Sequence, residues 1–203
     1  MKRSREEADQ MRMAIIQKAL ECFATYGYAL TTFNLIAKDL NITKSGVMWH
    51  FKSKECLLAA VIKWMHEQYT PFKGLEEANT LEELKASFME WAKIVETFPD
   101  QRNFLQFILS RVEWSEDLRE KVSKLLDKAL VINPFLSVKA CVARLKQSGD
   151  IKSRLRNDQI ATLLMLTFFG VYREAFLRDQ RDPMVTLEAA LSFIIEGIRR
   201  QEV

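Results

Sequence analysis

Thr32-Phe33-Asn34-Leu35-Ile36-Ala37-Lys38-Asp39-Leu40-Asn41-Ile42-Thr43-Lys44-Ser45-Gly46-Val47-Met48-Trp49-His50-Phe51 reads as two short helices joined by one tight turn. Phe33, Ile36, Ala37 and Leu40 recur at helical spacing and give the first helix an apolar face. Thr32 suits its N-cap, because a threonine hydroxyl can accept from a free backbone N–H in the first turn. Thr43 suits the second helix for the same reason. Ala37 supplies the small side chain that two steeply crossing helices need. Asn41 tolerates the positive φ of the turn better than any residue but glycine. Val47 stands where a buried aliphatic anchors the second helix. A small residue, a residue tolerant of positive φ and an aliphatic at these offsets describe a helix-turn-helix, although an amphipathic helical hairpin also produces the pattern.

Outward from this stretch the chain reads as helix throughout. Met11 to Tyr26 places Ile15, Ile16, Ala19, Leu20 and Phe23 on one face, and Gly27 ends it as a C′ glycine would. Ser53 and Glu55 open a fourth helix carrying Leu57, Leu58, Val61, Ile62 and Met65, which Pro71 and Gly74 stop. The periodicity predicts further helices near Leu81–Thr97, Gln101–Trp114, Ser115–Ile132, Pro134–Gln147, Asp158–Arg178 and Pro183–Arg200. Six glycines and four prolines in 203 residues leave few turn signals, and no strand alternation, internal repeat or low-complexity segment interrupts the pattern. The expected fold class is all-α.

Net charge is +3, and its location says more than its size. Residues 1–56 hold nine Lys/Arg against six Asp/Glu, whereas residues 57–203 hold 21 of each. The excess positive charge therefore sits around the helix-turn-helix, as a polyanion partner requires and as a basic solvated surface also allows. Cys22, Cys56 and Cys141 are isolated, without metal spacing. They fit buried small hydrophobes in a reducing compartment, with a thiol sensor as the other reading. The polar start MKRSREEADQ lacks the apolar stretch of a signal peptide. The longest apolar run, Ile160 to Val171, is broken by Thr and Gly and reads as too short to cross a bilayer. A cytoplasmic protein with no membrane partner is expected. No P-loop, GxGxxG, GxSxG or HExxH is present, and His50 and His66 are the two histidines. No enzyme activity, cofactor or metal site is expected.

The residues flanking the motif sharpen the reading. Gly27-Tyr28, Thr31-Thr32, Ile36-Ala37, Ile42-Thr43-Lys44-Ser45-Gly46, Trp49-His50-Phe51-Lys52-Ser53-Lys54-Glu55 and Leu57-Leu58 together resemble the N-terminal region of the TetR family of regulators. The resemblance covers residues 10–62. It implies a three-helix DNA-binding domain at residues 1–56 and a larger helical effector-binding and dimerisation domain at residues 57–203. By position it implies DNA contacts from Thr32, Lys44, Ser45, Gly46, Met48, Trp49, His50 and Lys54, with Thr32, His50 and Lys54 on phosphates. Two positions depart from the family pattern: Asn41 stands where glycine is usual, and Met48 where tyrosine is common. Met48 forgoes a hydroxyl contact and offers an apolar one, unless Met48 and Trp49 pack inward against the first helix. Lys2, Arg3 and Arg5 form either a DNA-contacting arm or a plain tail.

The resemblance further implies a ligand-responsive repressor that binds a near-palindromic double-stranded operator as a homodimer. The last two helices are the expected interface, through Ile160, Leu164, Phe168, Val171, Ala175, Leu187, Leu191, Ile194, Ile195 and Ile198, part of which must also serve the internal core. Leu163 and Phe193 lie on the same helices, and Gly170 and Ala175 would permit close approach. A mostly hydrophobic or aromatic small-molecule effector is expected near Phe88, Trp91, Phe104, Phe107, Arg111, Phe168, Phe169 and Tyr172, with ordinary core packing as the competing reading. A helical protein-binding adaptor without DNA binding, or a regulator without an effector, remain alternatives.

Overall fold

The computed structural model describes residues 5–69, 73–126, 134–178 and 182–200. Most of those residues are helical, and there is no strand among them. In chain order the helices are α1 (Arg5–Leu30), α2 (Phe33–Asp39), α3 (Lys44–His50), α4 (Lys54–Gln68), α5 (Leu81–Thr97), α6 (Pro99–Gln106), α7 (Glu116–Leu125), α8 (Pro134–Gln147), α9 (Asn157–Arg178) and α10 (Pro183–Arg200). A short 3-10 turn occupies Lys73–Glu76, and α6 runs on into a π-helical turn at Phe107–Arg111. Lys2, Arg3, Pro71 and the end of the helix expected to reach Ile132 lie outside the described residues.

The chain forms two compact units, Met1–Tyr69 with Asp100–Val131 and Thr70–Pro99 with Ile132–Val203. The boundary expected after Cys56 falls within α4, which packs on α1 and α7 in the first unit. Ile15, Ala19 and Phe23 of α1, Ile36 of α2, Val47 of α3, and Leu57, Leu58 and Val61 of α4 are shut from solvent there. Phe107 joins that core and stacks on Phe23 at 5.0 Å between ring centroids. In the second unit α9 packs against α8 and α10, and α10 against α5. Its core is closed by Leu84, Phe88, Val142, Ile160, Phe168, Tyr172, Leu187 and Leu191.

Several element ends have local causes. The side chains of Thr32, Thr43 and Ser53 accept hydrogen bonds from the N–H groups of Leu35, Gly46 and Cys56 at 3.1–3.2 Å, capping α2, α3 and α4. α1 starts at Arg5, six residues before the expected Met11, with Glu6 and Glu7 in its first turn where the helix dipole favours acids. It carries a break at Gly27, whose φ of 80° and ψ of 168° belong to a region essentially reserved for glycine. A Cβ there would also stand 3.1 Å from the Arg111 carbonyl oxygen. The helix expected over Gln101–Trp114 is replaced by α6, the π turn and extended backbone at Val112.

α9 keeps the length expected from the sequence to within one residue, but its apolar stretch is longer than the run Ile160 to Val171. It has 22 residues, and an 18-residue window within it has a mean hydropathy of 1.5, so it is long and apolar enough to cross a membrane by those two measures. One of its faces, from Ile160 through Leu164, Phe168 and Tyr172 to Ala175, fills the core of its own unit.

Candidate nucleic-acid interface

The turn between α2 and α3 fixes how α3 is presented. Asn41 takes φ 54°, the sole positive φ on a non-glycine among the described residues. The Ile42 N–H donates to the Ala37 carbonyl at 3.0 Å and the Asn41 N–H to the Lys38 carbonyl at 3.2 Å. This pair of bonds is a Schellman motif with Asn41 at C′. It ends α2 and turns the chain into Thr43, the cap of α3.

Val47 is fully buried and Phe51 nearly so, and they pin the inner side of α3 to the core. Arg12 of α1 covers the Phe51 ring, its guanidinium carbon 5.1 Å from the centroid. The opposite side of α3 is open: Lys44 and Ser45 are exposed, Met48 is 47% exposed and Trp49 is 74% exposed. Neither Met48 nor Trp49 packs inward, which removes that alternative. The half-buried His50 meets the Trp49 ring edge-on, centroids 4.6 Å apart and planes at 89°, and so limits where the indole can swing. Thr32 is exposed at the start of α2; its oxygen accepts from Leu35, which leaves the hydroxyl proton to donate outward.

Gly46 lies half-buried in the first turn of α3. A Cβ on it would meet the Thr43 hydroxyl oxygen at 3.5 Å and Ile42 at 3.8 Å, which are ordinary contacts. The fold itself therefore does not demand a glycine there.

Lys54 is placed differently from its sequence expectation. Its ammonium donates to the backbone carbonyls of Tyr28 at 2.7 Å, Ala29 at 3.2 Å and Thr31 at 3.2 Å. It also sits 4.2 Å from the centroid of the Tyr28 ring. All three donors of the ammonium thus point at the chain and close the end of α1. Burial lowers the Lys54 pKa, opposed by the neighbouring Glu55 carboxylate. Nothing in the residues around Lys54 signals these partners, which come 23 to 26 positions earlier.

The residues expected around an effector divide between the two units. Phe88, Phe168 and Tyr172 are fully buried in the second unit, where Trp91 stacks on Phe168 at 4.1 Å with planes 5° apart. Phe169 meets both rings edge-on, and the Tyr172 hydroxyl donates to the Ala92 carbonyl at 3.0 Å. Phe107 is core of the first unit, Phe104 packs partly buried against that core, and Arg111 is exposed. The sequence could not distinguish a ligand-lining aromatic from a packed one, and in these units Phe88, Phe107, Phe168 and Tyr172 are packed. An open groove of about 910 Å³ does exist in the first unit, lined among others by Tyr26, Tyr28, Glu55, Ser110, Arg111, Trp114 and Asp117. Arg111 is the one residue of the expected effector set that reaches it.

The expected interface residues lie mostly on the inner sides of α9 and α10. Ile160, Leu164, Phe168, Ala175, Leu187, Leu191, Ile195 and Ile198 are buried inside their own unit, and Val171 and Ile194 are half-buried. The apolar side chains that α9 and α10 leave open are Leu163, Leu166, Leu177, Val185 and Phe193, the last 80% exposed. Gly170 and Gly197 lie on the same two helices, and a Cβ on either would meet nothing within 4 Å. Helical periodicity found the two helices but not which side of each faces inward, because α9 is apolar on more than one side.

Cys22 and Cys141 are buried, and burial raises both thiols, Cys22 to about 11, which disfavours the reactive thiolate. The Nδ1 atom of His66 is buried without a hydrogen-bond partner, and burial lowers its pKa.

The family model described as bacterial regulatory proteins, tetR family, matches residues 15–61, the span from α1 to α4 that holds this surface. Over that span the chain is similar to the TetR family. It is similar to the "Probable acrEF/envCD operon repressor" of Escherichia coli (strain K12), 23% identical over 177 residues that cover 84% of this chain and 78% of that protein. Its fold matches that of NalD, the secondary repressor of the MexAB-OprM multidrug efflux pump in Pseudomonas aeruginosa. The TM-score is 0.75 at 23% identity, covering 96% of this chain and 98% of that one. It also matches SmeT of Stenotrophomonas maltophilia in a complex with triclosan, with a TM-score of 0.73 at 22% identity, covering 92% and 90%. At these identities the structural likeness speaks for the fold. The matched span is the family's helix-turn-helix region, and these relatives and fold neighbours are named as repressors.

Proposed function

We propose that this chain is a TetR-family regulator, a dimeric repressor that holds a near-palindromic operator and releases it on binding a mostly apolar small molecule. The observation that carries the DNA half is the open side of α3, where Lys44, Ser45, Met48 and Trp49 stand exposed above a core pinned by Val47 and Phe51. Lys44 is the donor suited to guanine O6 and N7, while the Thr32 hydroxyl and His50 serve phosphates. Gly46 lets the backbone of α3 approach the DNA closely. Lys54 acts on this surface through the fold, by holding the end of α1.

Dimerisation follows from the physics of the reader. A seven-residue α3 touches few bases, so two readers about 34–36 Å apart are needed for useful selectivity. The open apolar side chains Leu163, Leu166, Leu177, Val185 and Phe193, with Gly170 and Gly197 beside them, are the surface we assign to the partner copy. Phe193→Lys tests this by sedimentation: the unaltered chain should run as a dimer and the variant as a monomer with weakened operator affinity. A chain that is monomeric without the substitution defeats the assignment.

The effector half rests on likeness to repressors whose names tie them to efflux pumps, one of them complexed with triclosan. An effector acts only if it favours one separation of the two readers over another. Operator affinity with and without triclosan is the first measurement to make. A fall on adding triclosan supports the reading, and equal affinities count against this probe class. The closed packing of Trp91, Phe168 and Tyr172 favours a second reading, a regulator that senses no small molecule. The site of action for either is the cytoplasm, where the operator is.

A further inference from the structure

We propose that Met48 and Trp49 read thymine 5-methyl groups, so that each operator half-site must carry thymines where α3 enters the major groove. This rests on the DNA-binding reading above and adds the base class that α3 selects. Met48 is 47% exposed and Trp49 74% exposed, on the same open side as Lys44 and Ser45. Lys44 and Met48 are four residues apart, as are Ser45 and Trp49, so each polar residue has an apolar one a single turn beyond it. The helix thus presents a polar first turn and an apolar second turn.

What the apolar turn can meet follows from the groove. Base edges in the major groove display hydrogen-bond acceptors and donors, and one apolar group, the thymine methyl. The Met48 thioether has no donor and is a poor acceptor, so a methyl is the group it can cover without stranding a polar base edge. Trp49 offers a broad ring face to a methyl and one indole N–H to a neighbouring acceptor. Its edge-on contact with His50 at 4.6 Å restricts the ring before DNA arrives, which reduces the ordering that binding must impose. Covering one methyl is worth about a fourfold gain in affinity, and one in each of two half-sites about fifteenfold.

The test begins by selecting duplexes from a random pool with the full chain, then resynthesising the selected duplex with each thymine in turn replaced by deoxyuridine. That replacement removes the methyl and keeps every hydrogen-bonding group. The expected result is about a fourfold loss at one or two positions per half-site and little elsewhere. In Met48→Ala one of these penalties should vanish, and in Trp49→Ala another, with the slope of affinity against salt unchanged. Both side chains are on the surface, and far-ultraviolet circular dichroism verifies that the variants keep their helices. Sequence-selective binding that ignores deoxyuridine at every position overturns this inference and leaves the regulator reading standing. Penalties that persist unchanged in both variants also overturn it. Absence of any duplex binding overturns both.

Discussion

Replacing Lys54 by methionine keeps the length of the side chain and removes the ammonium that closes the end of α1. The 2.7 Å bond to the Tyr28 carbonyl is the strong one. A hydrogen bond from a charged donor contributes about 1.5–3 kcal/mol. The bonds to Ala29 and Thr31 are longer, at 3.2 Å, and the one to Ala29 is exposed, so they add little. The contact with the Tyr28 ring adds roughly 0.5–1 kcal/mol at a partly exposed site. Against these stands the cost of burying the ammonium, visible in the lowered Lys54 pKa. The expected net loss is about 2 kcal/mol, a fall in Tm of roughly 4–8 °C for a chain of this size. Thermal melting followed by circular dichroism reads it. Duplex affinity measured over a salt series separates this role from a phosphate contact. If Lys54 clamps α1, affinity falls for all sequences and the slope of log affinity against log salt stays the same. If Lys54 instead holds a phosphate, the slope falls by about one per protomer and the melting temperature is unchanged. That second pattern would refute the clamp.

Three further outcomes follow from backbone and burial. Asn41→Gly should stay within about 0.5 kcal/mol of the parent, whereas Asn41→Ala should lose roughly 1–2 kcal/mol, because alanine resists the φ of 54°; equal melting temperatures for the two would contradict this. Gly46→Ala should raise stability by up to about 1 kcal/mol, since the added methyl meets only ordinary contacts, yet weaken DNA binding by blocking close approach. A variant that binds DNA as well as the parent would remove Gly46 from the interface. His66 is held neutral by burial, so the unfolded chain takes up its proton more readily than the folded one. Stability should then decline as pH falls below about 6.5, towards the lowered folded-state value, and His66→Gln should flatten that decline in denaturant titrations across the same range.

Legibility in the sequence followed the range of the interactions. Caps act over three residues, so Thr32, Thr43 and Ser53 were readable as the starts of α2, α3 and α4. Asn41 was readable because positive φ selects residue type directly. Leu81–Thr97, Pro134–Gln147 and Pro183–Arg200 are helices with the ends that periodicity and proline placement indicate. The π turn at Phe107–Arg111 was not, since one extra residue in a turn leaves the apolar pattern intact on either side. The partners of Lys54 were hidden by distance along the chain. The sidedness of α9 was hidden by composition: Leu163 and Leu166 are open while Leu164 and Met165 between them are buried, and a run of four apolar residues carries no mark of which is which. The role of the aromatic set was hidden for a related reason, because a ring stacked in a core and a ring lining a cavity are the same letter.

Whether the open side of α3 reads DNA is decided by binding of the full chain to a selected duplex, followed by fluorescence anisotropy as salt is raised. Log affinity should fall linearly with log salt, and Trp49→Ala should erode the preference for the selected sequence while leaving that slope in place. A chain that ignores duplex DNA even at low salt, or one whose Trp49→Ala variant keeps full sequence preference, would contradict it.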